Sequence, residues 1–292
     1  MKKILLPALL SIPFALFAQT ATDIVLMDIE ITNAKVSLSN PVNITNHKGY
    51  DNQPFFVPGK QMLYFTSDRD TAAAHTDIRQ YNYQTGEARF LTNTPDKEFS
   101  PTLTPDGKYI SCIIQRANGT QDLAKYPVNG GDAIGLINHL KVGYHAWIDN
   151  NRLLLFILDD SAHNSLHIYN LNTREDKIIA QNPGRSLAKI PGQNAMSFID
   201  KTNPKMGVIK KISLENMQVS AIGNALPGQE YMVWTKNEWI LMSDGKMIYY
   251  WDQNPANNWQ KIEADYQNPL LKGITRLALN AENTKLAIVV RE

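Results

Sequence analysis

Asp51, Glu98 and Glu230 stand at comparable points of this 292-residue chain, and His145 falls into the same series. Carboxylates that a fold brings within a few ångströms of one another can serve as general acid and base, including at a glycosidic bond. A second group lies in the most charged segment, Ser67-Asp68-Arg69-Asp70, followed by His75 and Asp77. Arg69 and Asp70 offer both signs of charge there, and His75 and Asp77 project to one face of a strand. His163 and His167 have the four-residue spacing that pairs two metal ligands on a helix, but on a strand it separates them by roughly 13 Å. No HExxH, EF-hand or Gly-x-Ser-x-Gly pattern occurs. The single cysteine, Cys112, is centred in the apolar run from Tyr109 to Ile114 and reads as a packed small hydrophobe. No catalytic signature emerges, and no metal or cofactor is expected.

These residues gain meaning from the elements that carry them. An apolar anchor, a turn of Pro, Gly, Asp or Asn, and a second apolar strand recur along the chain. The anchors are Phe56, Leu103, Trp147, Lys189, Trp234 and Leu279, spaced 42 to 47 residues apart. The clearest copy is Leu103-Thr104-Pro105-Asp106-Gly107-Lys108-Tyr109. A second series falls between the anchors, as in Thr76-Asp77-Ile78-Arg79-Gln80-Tyr81 and Ser165-Leu166-His167-Ile168-Tyr169. Apolar alternation with β-branched and aromatic residues between Gly/Asn turns makes all of these strands. One unit is four short antiparallel strands. Thr22-Asp23-Ile24 opens like the second series with no anchor before it, whereas Ile274 to Val290 supplies an anchor pair alone. Complementary half-units at the two ends predict an all-β, six-bladed β-propeller of four-stranded antiparallel blades, the last blade closed by N-terminal strands. In such a ring, the loops entering each innermost strand and those joining second and third strands open on one face. That face is expected to carry Asp51, Arg69, Asp70, His75, Asp77, Glu98, His145 and Glu230, the candidate binding set.

The Pro-Asp-Gly-Lys turn between two strands, preceded by an acidic residue and Pro (Asp51 with Pro54, Glu98 with Pro101), resembles the repeat of TolB-type propellers. The similarity covers residues 20–292, is strongest from Asp51 to Gly131, and is eroded from Pro183 to Asp265. The resemblance implies the family's propeller alone, a non-catalytic protein-binding module or scaffold in the bacterial cell envelope. Its matched positions (Pro54, Gly59, Pro101, Pro105, Asp106, Gly107) build blades and transfer no binding role. The alternative is a carbohydrate- or lactone-directed enzyme or a glycan-binding protein, with polar groups at the channel mouth and Trp147, Trp234 or Tyr231 stacking on sugar. Trp147 and Trp234 occupy the anchor position, however, and are expected to pack between blades.

Met1-Lys2-Lys3 followed by the apolar run from Ile4 to Phe17 has the form of a secretory signal cleaved after Ala18, leaving one domain over 19–292. The expected location is periplasmic or secreted, with no membrane span after cleavage. One cysteine in an exported chain excludes an internal disulfide. Loss of Lys2 and Lys3 leaves 27 basic against 28 acidic residues, down from 29 against 28. No basic run supports nucleic-acid binding. A protein or peptide partner of a monomeric chain is the expectation.

Overall fold

A computed structural model describes residues 20–32, 35–46, 48–68, 75–161 and 163–292. Among them the strands form six four-stranded antiparallel sheets. Blade one contains Asp51–Phe56, Met62–Ser67, Asp77–Asn82 and Ala88–Phe90, from channel to rim. Blade two contains Lys97–Leu103, Tyr109–Gln115, Gln121–Pro127 and Ile134–Ile137. Blade three contains Val142–Trp147, Arg152–Ile157, Ser165–Asn170 and Asp176–Gln181. Blade four contains Ala188–Lys189, Ala195–Asp200, Val208–Ser213 and Val219–Asn224, and blade five Val233–Trp234, Ile240–Ser243, Ile248–Trp251 and Gln260–Lys261. Blade six is composite. Arg276–Leu279 and Lys285–Arg291 form its inner half, and Thr22–Ile31 and Val36–Asn43 its outer half. Thr22 pairs with Arg291 and Asp28 with Lys285, so the ring is laced shut along a whole strand. The propeller and its closure are those the repeat predicts.

The core lies between blades rather than within them. Ile113 and Leu123 of blade two pack on Leu153, Leu155 and Tyr169 of blade three. Leu154 and Leu166, on the other face of blade three, pack on Met196 and Phe198 of blade four. Leu153, Leu154 and Leu155 are therefore all fully buried, which explains why second strands are continuously apolar instead of alternating. Cys112 lies within such a junction, and burial pushes its thiol up, away from reactivity.

The recurrent turn has a physical cause. The Asp106 carboxylate accepts from the Thr104 hydroxyl at 2.6 Å and from the Lys108 amide at 3.1 Å, and the Gly107 amide donates to the Thr104 carbonyl. Gly107 takes a φ of +69°, open to glycine at little cost. Glu238 and Asn283 hold the same place in blades five and six at +62° and +59°. The eroded copies thus keep the backbone and lose only the residue type. No helix among the described residues is long and apolar enough to cross a membrane. The proposed signal segment lies outside the described residues.

Candidate functional site

Three or four residues before each anchor, in the inner strand or the segment leading into it, one side chain per blade turns toward the axis. In chain order these are Asn52, Phe99, Tyr144, Arg185, Tyr231 and Arg276, and all six line one funnel of about 800 Å³. Tyr50, edge-on to Phe99 with ring centroids 6.4 Å apart, adds a third tyrosine. A smaller cavity of about 440 Å³ opens on the far side, and the two share Gln53, Tyr144, Arg185, Tyr231 and Arg276. Those residues form the waist of the channel.

The waist is cationic and aromatic. The Arg276 guanidinium carbon stands 4.3 Å from the ring centre of Tyr231 and 5.4 Å from that of Tyr144. Arg185 lies 3.4 Å from a Glu230 carboxylate oxygen and 3.5 Å from the Tyr231 hydroxyl, and Lys201 donates to the other Glu230 oxygen at 2.9 Å. Burial pushes the Tyr144 phenol up. Burial opposes ionisation of Tyr231 too, yet the charges of Arg276 and Arg185 pull its pKa below the ordinary phenol value. Asn52, Gln115, Gln121, Asn164 and Asn182 complete the wall with carboxamides.

Of the candidate set, Glu230 lines this funnel. Asp51 and Glu98 do not, being fully buried one residue away from channel-facing Asn52 and Phe99. Burial raises Asp51 to about 7, against the hydrogen bond from Ser67. Glu98 lies at the junction of blades one and two, accepting from Thr92 (3.0 Å), Thr94 (2.5 Å) and Tyr126 (3.0 Å). Burial raises its pKa, with Asp77 adding to the rise. The structure thus brings Glu98, Asp77 and His75 together, His75 Nε2 lying 3.6 Å from Asp77, away from the funnel.

His145, one residue past Tyr144, lies on the second cavity and meets the Ser111 hydroxyl at 2.7 Å through Nε2. Burial lowers it to about 4, leaving the ring neutral at pH 7. Arg69 and Asp70 lie outside the described residues. His167 is held between Ser165 and Asp176, each at 2.7 Å. Among the described residues, no group of three His, Cys, Asp or Glu side chains stands close enough to hold a metal.

Trp147 and Trp234 cross blade junctions, their indole nitrogens donating to Ser111 and Ser197 at 2.8 Å. Sequence reasoning missed Tyr50, Asn52, Phe99, Tyr144, Arg185, Lys201 and Arg276, although the six ring positions recur with the spacing of the anchors.

No family model matches the sequence, and neither does any curated protein. Solved structures do share the architecture. A putative TolB from Agrobacterium tumefaciens superposes with a TM-score of 0.69 at 11% identity, over 94% of this chain and 99% of that one. TolB from Acinetobacter baumannii superposes with a TM-score of 0.57 at 10% identity over 92% of this chain, which spans 63% of that protein. An oligogalacturonate lyase in complex with manganese gives 0.56 at 10% identity, over 88% and 83% of the two chains. At such identities the likeness is one of fold. The chain is a six-bladed β-propeller similar in fold to TolB, with a tyrosine- and arginine-lined funnel at one mouth of its channel.

Proposed function

We propose that this propeller is a binding module of the cell envelope that takes a protein segment into the funnel. The observation that carries this reading is the composition of the ring. Three tyrosines, Phe99 and two arginines converge on one concave surface, and Tyr and Arg are the residue types that dominate binding energy at protein interfaces. A funnel of about 800 Å³ accepts a few residues of extended chain rather than a folded domain. The wall carboxamides each offer a donor and an acceptor, the complement of a peptide group. The TolB likeness supports the reading by analogy of fold. The apolar start of the sequence, Ile4 to Phe17 after two lysines, supports export.

The test is retention of a partner from an extract of the native envelope by residues 19–292. The expected result is one saturable protein that wild type captures, that Tyr144→Ala and Tyr231→Ala capture at least ~10-fold more weakly, and that Phe90→Ala on the outer rim captures unchanged. Equal capture by the ring variants would remove the funnel from the account.

A further inference from the structure

Resting on the funnel as a peptide-binding mouth, we propose that its deepest subsite takes a carboxylate of the bound segment, gripped by Arg276. Arg276 opens the inner strand of blade six, yet its guanidinium reaches the rings of Tyr231 in adjacent blade five and Tyr144 in opposite blade three. A side chain in contact with opposite sides of a ring stands near the axis. It also belongs to both cavities, so the charge sits at the waist, where any chain entering from the funnel arrives.

The charge balance leaves this group available. Among the described residues, the funnel lining contains four cations, Arg185, Lys201, Arg276 and Arg291, and a single carboxylate, Glu230. Glu230 is divided between Lys201 and Arg185. Among the described residues, no carboxylate forms an ion pair with Arg276; its recorded partners are tyrosines. Stacking on Tyr231 satisfies the face of the guanidinium and a hydrogen bond to Tyr144 uses one N–H, which leaves other in-plane N–H groups for an acceptor. A planar fork of donors matches a carboxylate in two-pronged fashion, which a point charge cannot do. Tyr231, its phenol drawn toward ionisation by the same two arginines, is a strengthened donor beside it. The carboxamides of Asn52, Gln115 and Asn164 further up the wall favour a peptide over other carriers of the acid.

The test uses the full chain, immobilised, with ten-residue extended peptides of matched composition in three forms. One has an internal glutamate and an amidated C-terminus, one has a free C-terminus and no acidic side chain, and one has neither. A uronic acid tetramer is the fourth probe. The expected result is retention of at least one carboxylate form over the form with neither, and at least ~10-fold weaker retention by Arg276→Gln. Whichever carboxylate form is retained identifies the source of the acid. Arg276→Lys, which keeps the charge and loses the fork, is measured alongside in case the glutamine variant fails to fold. It too must weaken the carboxylate forms and leave the neutral form unchanged. Equal retention of all three peptides by wild type and both variants would overturn the carboxylate subsite while leaving the peptide mouth standing. Retention of no peptide would overturn both, and Arg276-dependent retention of the uronic acid alone would reassign the site to an acidic glycan.

Discussion

Glu98 shows how much a single buried carboxyl can weigh. Three hydroxyls donate to it, which favours the charged form, but burial and the neighbouring Asp77 outweigh them and hold its pKa near 7 instead of 4.5. The fold therefore retains a proton that the unfolded chain releases above about pH 4.5. The stability tied to that proton is full at acid pH and is lost as the pH rises toward 7. Urea midpoints followed by tryptophan fluorescence are expected to fall across that window, and Glu98→Gln, neutral throughout, should flatten part of the slope. An unaltered slope would move the titration elsewhere. Two glycines separate conformation from space at the same scale. Gly107→Ala meets no atom within 4 Å but must hold a φ of +69°, and should cost about 1 kcal/mol. Gly223→Ala has an ordinary φ, but its Cβ would fall 2.2 Å from the Trp251 ring, an overpacking worth about 1–3 kcal/mol. Chemical denaturation of the two variants checks both values.

Between elements, the junctions are stitched by polar contacts set in an apolar seam. Ser111 and Ser197 each accept from a tryptophan indole, Trp147 or Trp234, and each donates to a carbonyl of its own blade, Thr102 or Ala188, but Ser111 also meets a second ring, that of His145. Ser111→Ala should therefore lose more stability than Ser197→Ala, by about 1 kcal/mol, because it leaves two ring nitrogens without partners instead of one. Equal losses in urea would show that the histidine contact contributes nothing. Strand parity also explains what could be read in advance. Turns and apolar runs repeat with the blade, so Leu103-Thr104-Pro105-Asp106-Gly107 announces a hairpin, and Trp147 at an anchor announces a packed ring. The site is a matter of which of two neighbouring residues faces the axis. Asp51 and Asn52, Glu98 and Phe99, and Tyr144 and His145 are each one step apart, and one step turns a side chain from the channel into a junction. Charge and titratability draw attention to Asp51, Glu98 and His145, whereas geometry selects the other member of each pair. Only aligning the blades on their anchors, three or four residues downstream, separates them.

At the scale of the molecule, the ring is a chain of junctions with one composite blade. Thr22–Ile31 pairs with Lys285–Arg291, and Ile24, Val289 and Phe65 share the core on that side. Removing residues 1–43 should leave blade six with an open edge and an exposed apolar face. The expected outcome is loss of the cooperative unfolding transition or association in gel filtration, where an autonomous inner half would give a monomer of unchanged midpoint. The account depends most on the channel being the place of recognition. The direct measurement replaces Phe99, in the funnel, and Phe90, on an outer strand, each with a photoreactive phenylalanine analogue, and irradiates the chain in native envelope extract. The account predicts a single protein adduct at position 99, its crosslink mapped by mass spectrometry to one short segment of the partner, and none at position 90. Adducts at 90 with none at 99 would contradict it and place recognition on the outer edge of the blades.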